Sequence, residues 1–486
     1  KLLFSEHHLS HAASAFYPSP FERAAILTMD GVGEWPSSTI AIGNNNKINL
    51  IKEINFPHSL GLLYSAFTFF CGFKVNSGEY KLMGLAPYGN PIYENVIKDN
   101  LINIKEDGSF QLDLSYFDYC TGFKMTSNKF NYLFGRKNRN NESEITKNDM
   151  DIASSIQKVT EEIVIKICNN IKKETGEKNL CLAGGVALNC VANGKLLKEN
   201  IFDNIWIQPA AGDAGGALGA AFSLYYDGLK SARLVKQNDS MRGSYLGPNF
   251  SENNIQNVLD KNKAIYEKLS KKEIITRTAN LLSKGKAIGW MNGKMEFGPR
   301  ALGNRSIIAD PRSPSMQKKL NLKIKFRESF RPFAPSVIEE KAYEWFELNK
   351  KSPYMLLVAN VKNNKQIDIN KTDSLKSGFD KLNIQRSLLP AITHVDYSAR
   401  IQTVNKDTNP DYYNLINEFN KITGVPVIVN TSFNIRGEPI VCSPQDALQC
   451  FLGTDLDVLV IENFLLIKEE QKNLKIIDYK NKYELD

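Results

Sequence analysis

Two short apolar runs, each stopped by a glycine turn, limit the folds open to this chain. Ala24 to Met29 runs into Asp30-Gly31-Val32-Gly33, and Asn179 to Ala183 runs into Gly184-Gly185. Runs this short, cut by Gly or Asp-Gly, read as buried strands rather than helices. Thr39 to Ile42 and Ile48 to Ile54 read as the next strands, joined at Asn44-Asn45-Asn46. Asp151 to Thr175 reads as a long amphipathic helix, because Ile152, Ile156, Val159, Ile163, Ile167 and Ile171 recur at threes and fours. Ala214 to Tyr225 reads as a small-residue helix able to pack closely. Strands and helices keep alternating to the end of the chain, which implies α/β or α+β architecture in both halves.

The glycine turns stand beside residues with ligand chemistry. In Glu6-His7-His8-Leu9-Ser10-His11, His7 and His11 are four apart and share one helix face. With Asp30 and with Asp213, in Gly212-Asp213-Ala214-Gly215-Gly216, they make a set suited to a divalent metal. Gly31 and Gly33, next to a carboxylate, let a phosphate approach the main chain. A metal beside a phosphate cradle points to a nucleotide enzyme.

With 486 residues the chain exceeds a single core. The polar run Lys236-Gln237-Asn238-Asp239-Ser240, followed by Gly243 and Gly247-Pro248, makes 230–250 read as a linker between domains at 1–235 and 244–486. Residues 126–148 read as an exposed insertion, and 362–384 as a polar loop or flap. A net charge of +8 is a mild bias that small anionic substrates explain, so a nucleic-acid partner is not expected. No apolar run reaches the ~18 residues that span a bilayer. Seven cysteines without CxxC spacing fit reduced thiols in a cytoplasmic chain.

The second half carries its own pattern. Met295-Glu296-Phe297-Gly298-Pro299-Arg300-Ala301-Leu302-Gly303-Asn304-Arg305-Ser306 precedes Lys325-Phe326-Arg327 and Phe330-Arg331-Pro332-Phe333. His394-Val395-Asp396-Tyr397-Ser398-Ala399-Arg400 and Asn430-Thr431-Ser432-Phe433-Asn434 follow. Guanidinium groups interleaved with Gly, Pro and Phe suggest bidentate phosphate recognition.

The glycine turns, with Gly184-Gly185-Val186-Ala187-Leu188-Asn189 followed by Gly212-Asp213-Ala214-Gly215, resemble the actin/sugar-kinase/heat-shock ATPase superfamily. All the motifs together closely resemble the O-carbamoyltransferase family of nodulation-factor and antibiotic-tailoring enzymes, over nearly the whole chain. The resemblance implies an actin/sugar-kinase-like (ribonuclease H-like) N-terminal domain, partial here, and an α+β YrdC-like domain after it. It implies that carbamoyl phosphate and ATP form carbamoyl-adenylate at the second domain. The first domain then transfers the carbamoyl group to a hydroxyl of a sugar-containing or natural-product acceptor.

By the same resemblance His7, His11, Asp30 and Asp213 hold the metal, with Fe2+ placed ahead of Mn2+ or Zn2+. Gly184, Gly185 and Asn189 face the nucleotide, and Glu79 and Lys81 line the transfer site. Arg300, Arg305, Lys325, Arg327, Arg331 and Arg400 bind carbamoyl phosphate and the ATP phosphates. Asn304, Asn430, Ser432 and Asn434 add hydrogen bonds or help hold Mg2+, and His394 contacts ligand or packs. A homodimer is a further expectation. Two alternatives remain: a threonylcarbamoyl-adenylate or tRNA-modification protein, and a non-catalytic nucleotide-binding scaffold. The family's metal domain ordinarily begins well upstream of the His motif. This chain, opening at Lys1, is therefore expected to lack the first β-subdomain and to couple activation poorly to transfer.

Overall fold

The computed structural model describes residues 2–472, 474, 479 and 482–484. The chain divides into two compact units, Lys1–Ser240 with Ser377–Phe379, and Met241–Lys376 with Asp380–Asp486.

In the first unit, helix α1 (His7–Phe16) precedes an antiparallel meander of β1 (Arg23–Met29), β2 (Pro36–Asn44) and β3 (Lys47–Asn55). Helix α2 is Leu60–Phe70 and the long helix α3 is Lys147–Thr175. Strands β4 (Asn179–Ala183) and β5 (Asn204–Ile207) then add in parallel, giving the order β3-β2-β1-β4-β5. Strand β1 is central, so six of its seven residues are buried, and all of those six but Thr28 are apolar. Edge strand β3 is mostly exposed and carries Lys47, Lys52 and Glu53, which discourages pairing with another chain. Strand β2 starts earlier than Thr39 because Ser37 and Ser38, polar by sequence, are buried, and the Ser37 hydroxyl donates to Ile54 O at 3.1 Å.

Helix α3 begins with a capping box between Thr146 and Asp149 and ends at Gly176, whose φ is +66°. Its isoleucine stripe is buried, as the spacing predicts. The segment 126–148 is less exposed than its composition suggests. The Phe130 ring lies 5.2 Å from Phe67 and 5.0 Å from Phe70, so the insertion shares the core under α2. Between Cys190–Lys198, helix α4, and the end of the unit stands α5, Asp213–Phe222.

The second unit is built on a nine-stranded sheet. Its strands are β6 (Glu267–Lys268), β7 (Ile288–Met291), β8 (Arg305–Ala309), β9 (Ala334–Ile338) and β10 (Leu357–Asn360). They continue with β11 (Ser398–Val404), β12 (Val427–Ser432), β13 (Val458–Ile461) and β14 (Phe464–Ile467). The order is β10-β11-β9-β12-β8-β7-β13-β14-β6, mixed in direction. Central strands β7, β8, β9 and β13 are wholly buried. Both units are thus mixed α/β.

The stretch 230–250 is not a bare linker. Arg233 donates to the carbonyls of Phe16 (2.8 Å), Tyr17 (3.1 Å) and Ser19 (3.1 Å), closing the C-terminal end of α1. Further on, Gly247 N–H bonds Met295 O, and Met295 N–H bonds Pro248 O, each at 2.9 Å. Composition reads polarity and glycine, whereas main-chain pairing is a tertiary property. Among the described residues no helix is long and apolar enough to cross a membrane.

Candidate functional site

Helix α1 starts at His7 because a carboxylate from another loop caps it. Both Glu34 oxygens accept from the His7 N–H, at 3.1 and 2.9 Å. His7 and His11 then face the same way, with their Nε2 atoms 3.0 Å apart. Strand β1 delivers Asp30 at its C-terminal end. There the Ser59 hydroxyl, itself the cap of α2, meets the carbonyls of Asp30 (3.0 Å) and Gly31 (2.6 Å).

Asp30 Oδ2 lies 2.9 Å from His7 Nε2 and 3.1 Å from His11 Nε2. Asp30 Oδ1 accepts from Gly185 N–H at 3.1 Å, which fixes the carboxylate plane. The turn that supplies this N–H requires glycine: Gly184 has φ +86°, and a Cβ there would stand 2.1 Å from Met29 O. Asp213, the first residue of α5, brings Oδ1 to 3.5 Å from both histidine nitrogens. It reaches them because α5 rests on α1 through Gly219, where a Cβ would meet Ser10 O at 1.8 Å.

The four ligand atoms all lie within 4.8 Å of one another. Burial works to raise the Asp30 carboxyl, but hydrogen bonds from His11 and His7 outweigh it and hold Asp30 well below the usual carboxylate range. The Asp30 hydrogen bond raises His7, against its own desolvation. His8 points elsewhere: its Nδ1 bonds Thr28 Oγ1 at 2.8 Å, and burial pushes its pKa down to about 4. Two ring nitrogens facing each other, with two carboxylate oxygens aimed at both, place more lone pairs together than shared protons satisfy. Such an N2O2 set fits a divalent cation.

In the second unit the expected phosphate-binding residues separate into two groups. Arg300, Arg327, Arg331 and Arg400 are half-buried. Arg327 is held by Asn321 Oδ1 at 2.7 Å and lies over the Phe333 ring at 4.7 Å, and Arg331 is 3.5 Å from Glu328. Arg305 requires a correction. It is fully buried, and its guanidinium donates to the carbonyls of Asn292, Gly293, Asn304, Cys442 and Pro248 at 2.9–3.4 Å. No surface is left on it for a phosphate. Lys325 is buried between Ser432 and Asn434, whose side chains it meets at 3.1 and 2.7 Å; burial lowers its pKa well below the ordinary lysine value.

Two sequence profiles of one family match the chain: "Carbamoyltransferase N-terminus" over residues 1–222 and "Carbamoyltransferase C-terminus" over 279–468. An uncharacterized protein of Synechocystis sp. is 57% identical over 97% of this chain and 77% of its own length. The nodulation protein NolO of Bradyrhizobium diazoefficiens is 38% identical over 95% of this chain and 78% of its own. The nodulation protein NolNO of Sinorhizobium fredii is 39% identical, and the chain spans 64% of it. The chain belongs to the carbamoyltransferase family. As an enzyme of this family, the carbamoyltransferase has His7, His11, Asp30 and Asp213 inside its N-terminal match, and the arginine motifs inside its C-terminal match.

Other expected residues of this carbamoyltransferase fall into structural roles or stand apart. Asn189 caps α4 through Ala192 N–H (3.1 Å) and exchanges two amide hydrogen bonds with Gln157. Glu79 accepts from Ser65 Oγ (2.7 Å) and Asn76 N–H (3.0 Å), and Lys81 is buried. Asn304 bonds Lys294 O and Asn409, Asn430 bonds Ala301 O and Gln402, and His394 is buried with Asp396 at 3.5 Å. Sequence reasoning missed Glu34 and Arg233, the two ends of the clamp on α1. Glu34 lies one residue past Gly33, and its only sequence signal is an acidic residue near a glycine turn.

Proposed function

We propose that this carbamoyltransferase makes carbamoyl-adenylate from ATP and carbamoyl phosphate and moves its carbamoyl group to an acceptor hydroxyl of a sugar-containing or natural-product substrate. Water releases phosphate from carbamoyl phosphate, the resulting carbamate oxygen attacks the α-phosphorus of ATP, and pyrophosphate leaves. In the second step the acceptor oxygen attacks the carbamoyl carbon, its proton is released, and AMP leaves. A carbamoyl group is a poor electrophile, and adenylation supplies the leaving group.

His7, His11, Asp30 and Asp213 would hold a divalent transition metal, Fe2+ ahead of Mn2+ or Zn2+. Such an ion supplies Lewis acidity toward phosphate without redox chemistry. Gly31, Gly33, Gly184 and Gly185 keep side chains away from the main chain that receives the nucleotide. Arg300, Arg327, Arg331 and Arg400 supply fixed, planar donors for phosphate oxygens. Ser432 and Asn434, aligned by Lys325, offer oxygens suited to Mg2+.

The convergence of two imidazoles and two carboxylates within 4.8 Å carries this reading. Its sheet order, an antiparallel meander extended by two parallel strands, supports the ribonuclease H-like assignment of the first unit. The test is exchange of radiolabelled pyrophosphate into ATP by the full chain, with and without carbamoyl phosphate. Exchange that depends on carbamoyl phosphate is expected. Its absence in metal-replete protein refutes the adenylate route.

A further inference from the structure

We infer that Glu296 is the positioning residue for Arg300, holding the loop Phe297–Asn304 from inside so that the arginine is presented in one place. The inference rests on the proposed phosphate role of Arg300.

Glu296 is 7% exposed. Its Oε1 accepts three main-chain N–H groups of the chain that follows: Leu302 at 2.7 Å, Asn304 at 2.8 Å and Arg305 at 3.3 Å. The carbonyls of the same stretch are taken by side chains from the body of the unit. Asn430 donates to Ala301 O (3.1 Å), Gln402 and Tyr245 to Leu302 O (2.7 and 2.8 Å), and Trp290 to Gly303 O (2.9 Å). Arg305 donates to Asn304 O at 2.9 Å and so supplies the opposite polarity to Glu296. Gly303 has φ +107°, and a Cβ on it would stand 2.3 Å from the Tyr412 ring. Surface loops ordinarily satisfy many of these groups with water, which permits several conformers. Here the donors and acceptors are fixed protein groups on the inner side, and a site held this way loses little entropy on binding.

Arg300 stands two residues before the first N–H that Glu296 holds, next to exposed Pro299. Without the carboxylate, three buried N–H groups lose their acceptor, and the loop rearranges to find water. A carboxylate present only for stability would act independently of Arg300. One that positions it acts through it.

The experiment is a double-mutant cycle in the full chain, read as kcat/KM for carbamoyl phosphate in ATP–pyrophosphate exchange. The variants are Arg300→Ala, Glu296→Ala, both together, and Glu296→Gln. Glu296→Ala is expected to lower kcat/KM by about a hundredfold, the scale of a misplaced binding group. In the Arg300→Ala background it should add no more than about twofold. Glu296→Gln keeps a carbonyl oxygen for the three N–H groups and should retain most of the activity. If Glu296→Ala fails to fold, the cycle is run with Glu296→Asp, which draws the acceptor back by one methylene. A Glu296 effect that persists undiminished without Arg300 overturns the positioning role while leaving the proposed reaction intact. An Arg300→Ala enzyme with unchanged kcat/KM overturns both the phosphate role and this inference.

Discussion

The approach of α5 to α1 has a measurable consequence. In Gly219→Ala the new Cβ would stand 1.8 Å from Ser10 O. A carbon–oxygen contact needs about 3.3 Å, so the helices must separate by roughly 1.5 Å. Asp213 Oδ1 is now 3.5 Å from each histidine Nε2. Two ligands bound at about 2.1–2.2 Å to one ion are at most ~4.3 Å apart. A displacement of that size carried down α5 takes Asp213 to about 5 Å, outside that limit. Ala is the better helix former by about 0.5–1 kcal/mol, but overpacking of about 1–3 kcal/mol opposes it. The net expectation is a modestly less stable protein with metal affinity reduced about 10–100-fold, the usual effect of disturbing a ligand's support. Chelator-competition titration measures the affinity and calorimetry the stability. A variant that melts earlier yet binds metal as tightly as the parent refutes the claim that this helix contact places Asp213.

Replacing both His7 and His11 by Ala should remove the bound transition metal; elemental analysis at parental levels would show that the metal sits elsewhere. Arg305→Ala should lower the unfolding free energy measured by urea titration by more than about 3 kcal/mol, because several buried carbonyls lose their donor. Arg300→Ala should change stability by no more than about 0.5 kcal/mol; equal losses in the two variants would contradict their separation into scaffold and site. Burial works to raise the Asp411 carboxyl, but Lys271 at 2.8 Å and Asn292 at 3.1 Å outweigh it and hold it below its ordinary value. Its stabilisation is complete above the unfolded pKa of about 3.9 and is lost as pH falls through the lower folded value. Asp411→Asn should therefore flatten the acid loss of stability below about pH 4, and an unchanged slope in urea unfolding would remove that contribution.

Local pattern made several elements readable. The apolar runs of β1 and β4 and the isoleucine stripe of α3 follow from burial on strand and helix periods, which the chain displays residue by residue. The expected ligand set was readable for the same reason: an i,i+4 histidine pair and two glycine-flanked aspartates are short-range signals. The insertion at 126–148 and the stretch at 230–250 misled because polar composition is an average. Phe130 and Arg233 act through individual contacts that an average conceals.

Sequence alone determined which side chains are available at the candidate metal site and which segments become strands. Only the tertiary structure decided that Asp213 stands beside the histidines, since that depends on the closeness of two helix backbones at Gly219 and Ser10. It also decided that Arg305 belongs to the scaffold while Arg300 remains half-buried on a loop held by Glu296. Both are arginines in one motif, five residues apart. The difference lies in where main-chain carbonyls and N–H groups are left unsatisfied once the sheet has formed. Those groups are the same at every residue, so the sequence carries no mark of them.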